Sequence, residues 1–74
     1  SKQYDNTLLF NESLKYINDG TVFVFDEIKA NRRMRDFWKE VCKHPGVTVT
    51  LDLYSLGIVF FNKKLHKRNY IVYF

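Results

Sequence analysis

Apolar and polar positions follow two periods along this chain, and the switches between them mark its elements. Phe10, Leu14 and Ile17 recur at i, i+4 and i+7 with Leu9 beside them, one helical stripe. Asp5, Asn6 or Thr7 can cap that helix, because a side-chain oxygen accepts from the unpaired N–H groups of a first turn. Ser1 to Tyr4 carry no period and read as a frayed start. Asn18-Asp19-Gly20 ends the helix, with Gly20 placed for a left-handed cap. Thr21-Val22-Phe23-Val24-Phe25 then runs straight into Asp26-Glu27. Four consecutive β-branched or aromatic residues predict a strand buried on both faces, since no side of the pleat is left for water.

Met34, Phe37, Trp38, Val41 and Cys42 restore the helical period, with Asn31 as N-cap and Pro45-Gly46 as the stop. Lys43 and His44 suit the negative end of that helix. Arg32, Arg33 and Arg35 oppose its positive end, and Arg32 can offset part of that cost by pairing with Asp36. Val47 to Tyr54 alternates strictly, which predicts a half-buried strand near a sheet edge. Ser55-Leu56-Gly57 reads as a turn with Gly57 at positive φ, and Ile58-Val59-Phe60-Phe61 as a second continuous strand. A short turn makes that pair antiparallel, with the continuous run inside the alternating one. After a basic loop, Tyr70 to Phe74 closes the chain as a short strand or packed tail, tied down at its end.

Length limits what these elements can do. Seventy-four residues make one domain at most, close to the lower limit for a self-sufficient core. A single Cys excludes an intrachain disulfide and any zinc site built from cysteines, and suits a reducing, cytoplasmic setting. No apolar run approaches the roughly 18 residues of a membrane helix, so no membrane partner is expected. Hydrophobic residues at 46% and aromatics at 18% leave much apolar surface to hide, in a dense core or against a partner. The formal net charge of +4 is modest and reads first as solubility.

In order and spacing these pieces resemble the C-terminal part of a class I S-adenosylmethionine-dependent methyltransferase, of a type common in Bacteroidetes. The resemblance rests on Asn18-Asp19-Gly20, the strand ending Phe25-Asp26-Glu27-Ile28, the helix with Met34 and Trp38, Val47-Thr48-Val49 and Gly57-Ile58-Val59-Phe60-Phe61. It covers residues from about Thr7 to Phe74. The implied fold class is α/β, the C-terminal portion of a Rossmann-like sheet: helix, strand, helix, antiparallel hairpin and short final strand. Val22–Phe25 would be its fifth strand, Val47–Tyr54 its sixth at the edge, and Ile58–Phe61 its antiparallel seventh between them. Residues 1–74 would then be a single partial domain, a fragment without the cofactor-binding half. Gly20, Gly46 and Gly57 are the only glycines, and none has the spacing of a cofactor loop.

The resemblance also carries expectations about chemistry. The intact enzyme would use S-adenosylmethionine to methylate a small-molecule acceptor, most naturally at oxygen. Catechol-type relatives bind a divalent ion through an Asp after the fourth strand and an Asp-Asn pair after the fifth. Asp26 and Glu27 fall on that pair, with Glu27 in place of Asn and the upstream Asp outside this chain. Three roles stay open for them: ligands to Mg²⁺, polar groups facing the substrate, or caps of the following helix. Trp38, Met34 and Cys42 read as core, Tyr54 as pocket lining or sheet packing, and neither His44 nor His66 has a ligand partner. No cofactor binding or activity is expected of the 74 residues alone. The free edge of strand 21–26 should recruit a second copy, giving a homo-oligomer. The competing reading is a stand-alone α/β module for nucleic acid or protein, using Arg32, Arg33, Lys63, Lys64, Lys67 and Arg68.

Overall fold

A computed structural model describes residues 6–73; the expected frayed start, the candidate cap Asp5 and Phe74 lie outside them. Helix α1 (Asn6–Ser13) tightens into a 3-10 turn at Leu14–Tyr16. Strand β1 (Val22–Asp26), helix α2 (Arg32–Lys43), strands β2 (Val49–Leu53) and β3 (Leu56–Phe60), and strand β4 (Arg68–Ile71) follow. Together they form a small α/β domain: one mixed four-stranded sheet and two helices.

The strand order is β1-β3-β2-β4. β3 runs antiparallel to both β1 and β2, so β1 and β2 are parallel to each other across it. The chain leaves β1, crosses through α2 to a position two places away, and hairpins back to fill the gap. The continuous run therefore does lie inside the alternating one. β2 is not at the edge, however, because β4 adds to it in parallel.

Register divides the sheet into two unlike faces. Phe23, Phe25, Val59 and Phe61 join Phe10 of α1 and Phe37, Trp38 and Val41 of α2 in one core. Phe10 sits at its centre, with its ring centroid 6.1 Å from those of Phe23, Phe25 and Phe37. Edge-to-face contacts of this kind add to the area buried. The opposite face aligns Val22, Phe60 and Val49 in one row and Val24, Ile58 and Leu51 in the next. No element among the described residues covers it, and they form a slab only 17 Å through its thinnest axis. Val22 and Val24 are 47% and 60% exposed, so β1 is buried on one face, not two. Its continuous apolar sequence marks a strand that could be covered on both sides; only one side is covered.

Several local expectations change. Asn6 and Thr7 lie inside α1, and the Asn6 amide donates to Met34 Sδ. No described glycine has positive φ. The turn before β1 is closed by Asn18, whose Oδ1 accepts from Gly20 N at 2.8 Å, and not by a left-handed Gly20. Arg32 and Asp36 form no ion pair; the pairs among the described residues are Lys15–Glu12 and Lys29–Asp52. Asn31 does cap α2, accepting from Met34 N at 2.9 Å. Met34 and Trp38 are core-facing as expected, while β4 and its continuation are exposed, with Tyr73 86% open. No helix among the described residues is long and apolar enough to cross a membrane.

Candidate functional site

Asp26 ends β1 on the uncovered face, the same side as Val22 and Val24. Its Oδ1 accepts from Glu27 N at 2.9 Å, and Glu27 O accepts from Ala30 N at 3.1 Å, so the two residues open the turn that leads to α2. Glu27 holds φ at 58°, a left-handed conformation that costs a side-chain-bearing residue about 1–2 kcal/mol. Ile28 N donates to Ser55 O, which ties this turn to the β2–β3 connection.

That connection carries the second strained residue. Tyr54 has φ of 73°, and Ser55 N donates to Leu53 O across it, a γ-turn in place of the glycine turn the sequence suggests. Asp52 holds it: its Oδ1 accepts from Tyr54 N at 2.9 Å and from Lys29 Nζ at 2.6 Å. Lys29 also donates to Tyr54 O and lies 5.4 Å from the centre of the tyrosine ring. Both left-handed residues therefore stand on one rim, joined through Ile28 and Ser55. Strain of this kind gathers where a site constrains the backbone. Tyr54→Gly removes the side chain that makes the γ-turn costly and should stabilise the fold by about 1 kcal/mol in urea unfolding. A loss of stability instead would show that the tyrosine ring over Lys29 outweighs the strain.

The rim does not assemble a metal centre. Among the described residues no three His, Cys, Asp or Glu side chains are grouped to hold an ion. Asp26 and Glu27 offer at most two ligands, and one Asp26 oxygen is engaged by the backbone. The residues present do not fit Mg²⁺ by themselves.

Elsewhere the chemistry is structural. The Cys42 thiol is pushed above its ordinary pKa mainly by burial, against a hydrogen bond with Thr50 that pulls it down. Burial of this kind marks a structural thiol rather than a reactive one. His44 caps α2, accepts from Gly46 N through Nδ1, and sets its ring 5.6 Å from Phe10. His66 is exposed. The six cations of the nucleic-acid reading do not meet on one surface. Arg32 and Arg33 follow the C-terminal end of β1, whereas Lys63 and Lys64 follow β3, whose last residue pairs with the first of β1. Lys67 is engaged by His44 O and Val47 O, both at 2.8 Å.

A feature not singled out in the sequence is a cleft of about 350 Å³ between α2 and the β2–β4 side of the sheet. Arg35, Lys39 and Lys43 line one wall at i, i+4 and i+8. Their spacing was the available signal, hidden because charges on a helix usually mark only its wet side. Compared with protein-family models, with curated proteins and with solved structures, the chain matches none.

Proposed function

We propose that these residues form the C-terminal portion of a class I S-adenosylmethionine-dependent methyltransferase domain acting at an oxygen of a small molecule. The observation that carries the reading is β3, antiparallel and inserted between the parallel strands β1 and β2. This is the arrangement the resemblance implies for the fifth, seventh and sixth strands. The bare apolar face and the open edge of β1 support it too. A preceding polypeptide that supplied a parallel strand beside β1 and helices across that face would satisfy both.

Asp26 would then sit at the carboxyl end of a central strand, where open α/β sheets place their sites. Its role there would be to orient the acceptor hydroxyl, while Glu27 shapes the turn. The cofactor would supply the electrophilic methyl group. No residue of this chain offers the glycine-lined strand end that holds such a cofactor, so positioning it falls to the preceding part. Titration of S-adenosylmethionine into the 74-residue chain by calorimetry should give no saturable binding, and the reading frame upstream of Ser1 should encode a glycine-rich strand–loop–helix unit. Tight binding by the chain alone, or a different upstream unit, would overturn the reading.

A further inference from the structure

The cleft beside α2 opens on the β2–β4 side of the sheet; Lys29 and Asp52 of the rim reach its wall, and the methyltransferase reading gives it no task. Its composition is uneven. Lys39 and Lys43 have no hydrogen-bond or ion-pair partner among the described residues, although Asp36 and Glu40 stand three positions before them on the same helix. Glu40 accepts instead from Thr7 on α1. Arg35 Nη1 reaches back to Lys29 O at 3.4 Å, and Lys29 is neutralised by Asp52. The one carboxylate in the cleft is thereby already used. Like charges at i, i+4 cost a helix a few tenths of a kcal/mol per pair, and this wall carries two such pairs in succession.

The floor is of opposite character. Trp38, 7% exposed, and Ile71 of β4 both line it. A cationic rim over an apolar floor concentrates anions, because the low-dielectric walls focus the field of the lysines. The volume falls at the small end of the range for ligand sites. We propose that this cleft binds a small organic anion with an apolar body, its acid group on Lys39 and Lys43 and its body against Trp38 and Ile71. Free phosphate would leave the floor unused, and a nucleic acid would need exposed aromatic faces to stack on: Trp38 is buried, and Tyr70, though it lines the cleft, stands in the Leu51 row of the sheet's other face.

Trp38 is the only tryptophan, so its indole N–H gives one unambiguous resonance for the site. Decanoate and decylammonium share an apolar body and differ in charge. Decanoate should shift the Trp38 indole signal saturably; decylammonium should not. Lys39→Gln and Lys43→Gln, both exposed changes that spare the core, should each weaken decanoate by about twofold to fivefold, and added salt should do likewise. Val24→Ser, on the uncovered face of the sheet, should leave the binding unchanged. Equal binding of both amphiphiles, or an unchanged affinity in the two lysine variants, would overturn the proposal. So would binding of poly(U) that depends on the same lysines in the absence of any decanoate response.

Discussion

Gly57→Ala is expected to destabilise the protein by about 3 kcal/mol or more, the high end for overpacking a core. A Cβ at Gly57 would lie 2.5 Å from both Cη2 and Cζ3 of Trp38, and 3.0 Å from Cε3. The indole is laid over the bare backbone of β3, with Phe25 and Asp52 as the flanking partners in register. Phe25 is 6.3 Å away ring to ring, so the indole has little freedom to yield. The strand itself is held from both sides, so the backbone cannot yield in its place. For a chain of this size, about 3 kcal/mol lowers the melting temperature by more than about 10 °C, read by circular dichroism. The cost should fall by more than about 1 kcal/mol when Trp38→Phe is present as well, since the smaller ring clears the space. A melting temperature within a few degrees of the parent protein would contradict the packing of α2 on β3.

That glycine also illustrates what could be read from sequence. Gly57 closes Ser55-Leu56-Gly57, so the local reading is a turn, and it misleads. The residue needs no positive φ; it needs no side chain, because a tryptophan nineteen positions earlier lies on it. Local rules cannot see a contact of that range. By contrast, the cap at Asn31, the apolar face of α2 and the hairpin of β2 with β3 follow from neighbours within a turn or two, and all three are present. β4 began two residues earlier than its apolar run, at Arg68, because pairing with β2 requires backbone groups and not hydrophobic side chains.

The candidate site was legible to a lesser degree. A carboxylate pair at a strand end is visible in sequence, and Asp26 does end β1. The strain at Glu27 and Tyr54 was not visible, nor was the tie between their turns, because neither residue type announces a left-handed backbone. Asp52 looked like a polar position in an alternating strand. Its importance comes from two donors, Lys29 and Tyr54 N, that only the fold brings to it.

The other large effect concerns the uncovered side of the sheet. At high concentration the 74-residue chain should self-associate, and Val24→Lys should make it monomeric. Among the described residues β1 pairs with β3 alone, which leaves its outer row of N–H and C=O groups without a strand partner there. It carries no Lys, Pro or bulge, the devices that protect natural edges, and its one charge is Asp26 at the very end. The opposite edge, β4, is shorter and begins on Arg68. Three strands of five residues and one of four, about 4.8 Å apart at about 3.3 Å per residue, leave roughly 300 Å² of face in projection. Nearly all of it is Val, Leu, Ile, Phe or Tyr. Burying two such faces gains on the order of 10 kcal/mol, which is within the range lost when two molecules become one. Association should therefore be reversible and dependent on concentration. Val24 is the exposed centre of the open edge, so a lysine there costs the monomer little and sets like charges together in any two-fold pair. Light scattering across a concentration series reads the mass, and hydrogen exchange reads whether β1 amides gain protection as mass rises. A parent chain that stays monomeric at roughly millimolar concentration, or a Val24→Lys variant that associates as well as the parent, would remove β1 and its face as the contact surface.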